Sequence, residues 1–319
     1  MTLYDINENF LSNGQSSMQN NKNERSISKI SERHFIDKDE QADNKAILLQ
    51  PGYWTEYDPF LLMAEDWFST GGFDWHPHRG IETITVVLDG ELEHHDNRGG
   101  HGILKAGDVQ WMTAGRGLLH REMAYNKNPV HTLQLWINLP ADKKMIEPRY
   151  HDLRGDQVPV RKEEDAEHGG LEVRVFSGRS GNIKGPETVA NHVPITMLDV
   201  VIKHNKGAPF TQEIPAGQEG FVLILSGQGR FGKDNTSIKT GQIGHLSKTD
   251  KNEGPTNLTV VADEKSPSSL LRFLLWTGQP LHQPVVAYGP FVMNTKEQID
   301  EAFTDYRNGV FGSIPDGRL

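Results

Sequence analysis

The sequence predicts an all-β protein built from two copies of one barrel, followed by a single helix near the C-terminus. Three observations predict this. Short β-branched and apolar runs recur between Gly-rich turns from Ala46 to Asn138 and again from Leu171 to Trp276. Their spacing, with turns about every 8–12 residues, belongs to barrels and sandwiches rather than to βαβ units. Two stretches also share a skeleton: Phe73 to Gly90 ends Val86-Val87-Leu88-Asp89-Gly90, and Phe210 to Gly227 ends Leu223-Ile224-Leu225-Ser226-Gly227. One unit used twice accounts for a length of 319 residues. Finally, a helical period is well marked in one place, after Thr295.

Taken in order, residues 1–43 are mostly Asn, Gln, Ser, Lys and Glu and are expected to form a mobile tail. Ile27 to Phe35 is the one part that could lie over a barrel as a short strand or helix. Residues 44–150 are assigned to a first barrel. It begins with the runs Ala46-Ile47-Leu48-Leu49 and Phe60-Leu61-Leu62-Met63. Ile84 to Leu88 follows, then Asp89-Gly90, a hairpin signal with Glu91 to His95 as the return strand. His101–Leu104, Val109–Met112, Leu118–Met123 and His131–Asn138 complete the set. Residues 151–170, charged and Pro-containing, are expected to be a linker.

The second barrel covers 171–290, with strands at Leu171–Phe176, Ile195–Ile202, Ala208–Ile214, Phe221–Leu225 and Leu270–Trp276. Residues 291–319 form a C-terminal segment containing the helix. Thr295 is placed to cap it while Gln298 reaches back. Ile299, Ala302, Phe303 and Tyr306 make one apolar face, expected to lie on the first barrel, and Gly309 provides a stop.

Composition narrows the function. A net charge of −10 argues against a nucleic-acid surface, which needs clustered Lys and Arg. The chain has no cysteine, which excludes disulfides, thiolate metal sites and cysteine nucleophiles. No apolar run approaches the roughly 18 residues of a membrane span, and the N-terminus lacks a signal peptide's apolar region. The expected location is cytoplasmic.

Chemistry concentrates between Gly71 and Glu122. His76 and His78 are two apart, as are His120 and Glu122, and in a strand residues i and i+2 share a face. Two such strands across a small barrel would aim three imidazoles and one carboxylate at a common point, a mononuclear metal centre. Those donors suit Fe(II), Mn, Co, Ni, Cu(II) and Zn equally. A structural ion is more often saturated by four ligands, commonly with Cys, whereas an octahedral ion here would keep two open positions. In the second copy Glu213 and Pro215 fall where His76 and His78 stand, and His245 is the nearest imidazole. Only the first barrel is therefore expected to hold a metal. Phe73, Trp75, Trp111 and Met112 could wall a pocket for a flat aromatic ligand or could be plain core. His94, His95 and His101 read as surface or loop histidines, with a place beside the ligands or substrate as the alternative.

Several motifs, in the same order, now carry a resemblance. His76-Pro77-His78-Arg79-Gly80, the run Gly107-Asp108-Val109-Gln110-Trp111-Met112-Thr113-Ala114-Gly115-Arg116-Gly117, Leu119-His120-Arg121-Glu122-Met123 and Tyr288-Gly289-Pro290-Phe291-Val292-Met293-Asn294-Thr295 are similar to the pirin family of the cupin superfamily. The likeness runs from about Asp58 to Gly312. It implies a bicupin: two cupin (double-stranded β-helix, or jelly-roll) barrels face to face, with one divalent metal ion in the N-terminal barrel. The family's ligand positions match His76, His78, His120 and Glu122, and Fe(II) is the metal the resemblance favours.

The resemblance implies in turn a quercetinase-like activity, the 2,4-dioxygenation of a flavonol or similar small aromatic substrate with O2. Glu122 would serve as general base. The alternative function is a metal- or redox-sensing regulator that binds other proteins, through the face near Arg79, Arg116 and Arg121. Three departures from the general cupin pattern are pirin-like. Glu82 follows His78 after three residues instead of four, Thr113 replaces a usual Pro, and His120 follows Gly115 by five positions. They favour Glu122 over Glu82 as the carboxylate ligand and leave Glu82 as a support beside the ligands.

Overall fold

The computed structural model describes residues 23–36, 39, 41–165, 169–186, 192–203, 209–249, 254–263 and 270–315. Each barrel pairs a seven-stranded with a four-stranded antiparallel sheet. In the first barrel the larger sheet runs Arg149–Leu153, Val109–Thr113, Ile81–Asp89, Val130–Asn138, Phe60–Phe68, Asn44–Leu49, His34–Ile36. The smaller runs Gly72–His78, Leu118–Ala124, Glu91–Asp96, His101–Lys105. The second barrel repeats this order. Its larger sheet is Ile27–Glu32, Gln242–Leu246, Glu219–Ser226, Leu270–Gly278, Ile195–Lys203, Gly169–Ser177, Val160–Asp165, and its smaller sheet Phe210–Ile214, Thr256–Ala262, Gln228–Phe231, Thr236–Lys239. The weak internal repeat of the sequence is thus a repeat of topology, differing at one edge, where Arg149–Leu153 follows the first barrel but Ile27–Glu32 joins the second from ahead of both.

The barrels meet through their seven-stranded sheets. Ile84, Val109, Trp111 and Leu135 of one pack with Phe221, Leu223, Leu274 and Trp276 of the other. Phe60 sets its edge against Phe221 at 5.4 Å, the offset geometry aromatic rings prefer. The interiors differ. The second barrel is filled by Val200, Phe210, Ile224, Phe231, Leu258 and Phe273. The first is apolar at one end only, around Phe68, Val87, Leu92, Leu104 and Val130; its other end is lined with imidazoles and carboxylates. Among the described residues, no metal-type donor group falls in the second barrel, because side chains already occupy that volume.

Three expectations are corrected. Residues 1–22 lie outside the described residues, but the rest of the presumed tail is not loose. Ile27–Glu32 pairs with Gln242–Leu246 at the edge of the second barrel, and His34–Ile36 with Asn44–Leu49 at the edge of the first, so this segment belongs to both barrels. It escapes a hydropathy reading because backbone pairing and one buried cation hold it. Arg25 donates through Nε to Thr256 Oγ1 (2.8 Å) and through Nη2 to the Gln218 carbonyl (2.5 Å). Likewise the supposed linker 151–170 contains paired strand. Arg149–Leu153 runs beside Val109–Thr113, and Val160–Asp165 beside Gly169–Ser177. All are polar edge strands, which bury little. Finally, Asp89-Gly90 turns a corner between sheets rather than closing a hairpin, since Glu91–Asp96 pairs with Leu118–Ala124 and His101–Lys105.

The helix forms over Lys296–Arg307 with the expected capping box, Gln298 N donating to Thr295 Oγ1 and Thr295 N to Gln298 Oε1. Its buried face, Ile299 and Ala302, joins Phe291, Phe311 and Leu119 on the first barrel. Arg79 fastens it there. Buried under the Phe311 ring, Arg79 donates through Nε to the Arg116 carbonyl (2.6 Å) and through Nη2 to Asp305 Oδ2 (2.8 Å). Arg79 is therefore a structural cation and offers nothing to a partner surface.

Candidate metal centre

Gly72–His78 and Leu118–Ala124 lie side by side, with His120 opposite His76. Between these strands Phe73 to His76 spans three residues where Glu122 to His120 spans two, so the bulge's extra residue lies in Gly72–His78; it sets Phe73 opposite Glu122 and onto the face of His76. The ring centroid of His76 is 4.2 Å from that of His120, and His78 lies 4.9 Å from His76 and 5.0 Å from His120. Donor atoms of His76, His78 and His120 all lie within 4.8 Å of one another; Glu122 forms a second such group with His120 and His94. His120 belongs to both groups and links the carboxylate to the imidazoles. Behind His78 the chain turns at Gly80, whose φ is +81°. A β carbon there would collide with the Val292 carbonyl.

The nitrogens are set for a cation. His76 Nδ1 donates to the Asp74 carbonyl at 2.8 Å, and His78 Nδ1 faces the Pro290 carbonyl at 3.3 Å. Each contact fixes the tautomer that leaves a lone pair on Nε2. His78 Nε2 and both nitrogens of His120 are buried without a hydrogen-bond partner in the protein. Such atoms cost about 1–3 kcal/mol each unless something satisfies them. Burial, reinforced by the neighbouring imidazoles, holds His78 and His120 well below the usual imidazole range. They are neutral at physiological pH and able to ligate. This donor set fits a borderline divalent metal ion.

The carboxylate is oriented from the opposite sheet. Thr85 Oγ1 donates to Glu122 Oε1 (2.8 Å) and Gln134 Nε2 to Glu122 Oε2 (2.7 Å). Trp136 Nε1 in turn donates to Gln134 Oε1 (3.0 Å), while its ring stands edge-on to His78 at 5.0 Å. Thr85→Val and Gln134→Leu are each expected to weaken metal binding about 10–100-fold while the fold is kept; equilibrium dialysis against the metal checks this.

Sequence reasoning missed Thr85, Gln134 and Trp136, and placed His94 beside the ligands only as the alternative to a surface or loop histidine. His94 is fully buried, stacked on Tyr150 at 4.9 Å and 5.3 Å from His120. The alternation Leu92, His94, Asp96 in that strand, against Glu93 and His95, was the available signal. Of the residues read as a pocket wall, Phe73 stands 6.3 Å from His76, whereas Trp75 is corrected: it lies under Arg121 and against the Leu119 cluster, on the outer face of the strands. Met112 is buried opposite Thr83. Trp111 is corrected: paired with Ile84, it points out of the barrel into the core between the barrels.

Glu82 is corrected on the same ground. It lies on the opposite face of its strand from Thr85, and its carboxylate accepts from Thr113 Oγ1 (2.7 Å) rather than from a ligand imidazole. Burial pushes it up to about 7 from 4.5. A raised carboxyl stabilises the fold fully below its unfolded value, and that contribution is lost as pH rises through about 7. Glu82→Gln is therefore expected to remove roughly 3 kcal/mol of pH-dependent difference between pH 4.5 and 8, measured as the variant-minus-parent change in urea unfolding.

Two face-to-face jelly-roll barrels, one with a His/Glu donor cluster at the end of its interior and one filled by apolar side chains, define a bicupin. Residues 38–137 match the pirin family and residues 198–312 the pirin C-terminal cupin domain; the chain belongs to the pirin family. Pirin-1 of Arabidopsis thaliana is 43% identical over 257 residues, covering 80% of this chain and 84% of that protein. Pirin of Homo sapiens is 39% identical over 257 residues, covering 80% and 83%. Among solved structures, quercetin 2,3-dioxygenase from Acinetobacter baumannii superposes with a TM-score of 0.76 at 31% identity, covering 91% of this chain and 99% of that one. Among the described residues, no helix is long and apolar enough to cross a membrane.

Proposed function

We propose that this chain is a metal-dependent dioxygenase of the quercetinase type, cleaving the heterocycle of a flavonol or similar small aromatic enol with O2. One observation carries the reading: neutral imidazoles of His76, His78 and His120 and the doubly hydrogen-bonded Glu122 converge inside the first barrel, with Phe73 beside His76. The likeness to a quercetin 2,3-dioxygenase supports it. One divalent ion at this centre, Fe(II) first on family likeness and Mn, Co, Ni, Cu or Zn next, would supply Lewis-acid polarisation of the flavonol 3-hydroxyl when bound.

The chain's own residues do the rest. Glu122 takes the 3-hydroxyl proton on a carboxylate oxygen, held in position by Thr85 and Gln134. Phe73 offers a flat face beside His76. Trp136 closes the rear against His78 and excludes water from the electron-rich flavonolate. Cleavage consumes one O2 per flavonol and releases carbon monoxide.

An oxygen electrode with quercetin tests this. Metal-loaded protein is expected to consume O2 in step with quercetin, and stripped protein to consume none. An absence of uptake across several flavonols, with metal-dependent capture of a protein partner, would instead support the regulatory role.

A further inference from the structure

We propose a second metal site, on the outer wall of the first barrel, formed by Glu93, His95 and His101. It is independent of the activity proposed above. The strand Glu91–Asp96 turns Leu92, His94 and Asp96 inward and Glu93 and His95 outward, as period two requires. In the neighbouring strand His101 sits directly opposite His95. One i,i+2 relation and one cross-strand pair therefore bring three metal-type donors to a single patch. Donor atoms of the three lie within 4.8 Å of one another.

The spacing points to a shared ion more than to a hydrogen-bonded trio. Glu93 Oε1 is 3.3 Å from His95 Nε2 and 3.7 Å from His101 Nε2, whereas a charge-assisted N–H···O bond closes to about 2.7–2.9 Å. Donors each about 2.0–2.2 Å from a common ion lie about 3.3–3.6 Å apart around a tetrahedron. The imidazoles stack at 4.2 Å with 25° between their planes, so both Nε2 atoms present to the same side as the carboxylate. Two imidazoles and one carboxylate select a borderline divalent ion, Zn2+, Ni2+, Cu2+ or Co2+, over Ca2+ or Mg2+. The side chains are 27–55% exposed, which leaves the remaining coordination positions to water. The bound ion would tie together the two strands flanking the turn at Asn97–Gly100. His94, which faces the inner centre, is on the first of these strands.

Calorimetric titration of the full chain with Zn2+ tests the proposal. The parent is expected to bind about two equivalents, and His76→Ala/His120→Ala to keep the outer one. His95→Ala, His101→Ala and Glu93→Gln should each weaken the outer site at least about tenfold and leave the inner site unchanged. His282→Ala, at an exposed histidine elsewhere, should leave both sites intact. Equal stoichiometry and affinity in parent and His101→Ala, or an equal loss in His282→Ala, would overturn it.

Discussion

His120→Ala is expected to remove metal and turnover together. His120 lies at the centre of the cluster, 4.2 Å from His76, 5.0 Å from His78 and 5.3 Å from His94, and links the imidazole group to Glu122. Without it the remaining donors no longer enclose one point. Metal held at this centre should fall from about one equivalent to below about a tenth, leaving any ion on the outer wall in place, and flavonol turnover should fall by roughly a thousandfold or more. The metal-free fold should suffer far less, because neither nitrogen of His120 bonds to protein and the change leaves only a side-chain cavity. Elemental analysis and oxygen uptake on the same sample check the pairing. Turnover persisting in metal-free protein would refute the mechanism.

Phe291→Ala is expected to cost about 3–5 kcal/mol, the usual price of a buried Phe, and to weaken metal binding as well. The ring is fully buried at 4.8 Å from Phe303, 5.6 Å from Phe311 and 6.3 Å from Tyr306. It holds together the cluster through which the helix lies on the first barrel. The preceding carbonyl, of Pro290, faces His78 Nδ1, and Val292 N donates to the Arg79 carbonyl at 3.1 Å. Loosening this segment should therefore disturb the tautomer and aim of His78. Urea unfolding and a metal titration on the variant measure both effects; a loss under about 1 kcal/mol would mean that the segment is dispensable.

What could be read in advance follows from the range of each signal. The pairs His76/His78 and His120/Glu122, and the capping box at Thr295 and Gln298, depend on residues two or three apart, and they were legible. The glycine-bounded repeat also survives in sequence. Thr85 and Gln134 did not announce themselves, because their role depends on which face of a strand looks inward. Ile81 to Val87 is buried throughout, packed on one side by the other barrel and on the other by the barrel interior. No polar alternation marks the faces there, so Glu82 was placed with the site and Thr85 was not. Trp111 was misplaced for the same reason. Arg149–Leu153 was missed, and Ile27–Glu32 was read only as the alternative to a mobile tail, because edge strands held by backbone bonds need few apolar side chains.

The most direct test is diffraction from crystals loaded with Fe(II), recorded at the iron absorption edge. The account predicts an anomalous peak inside the first barrel, about 2.0–2.3 Å from His76, His78, His120 and Glu122, with solvent in the positions facing Phe73. No peak at that centre, or an ion there closed off by protein atoms on every side, would contradict it.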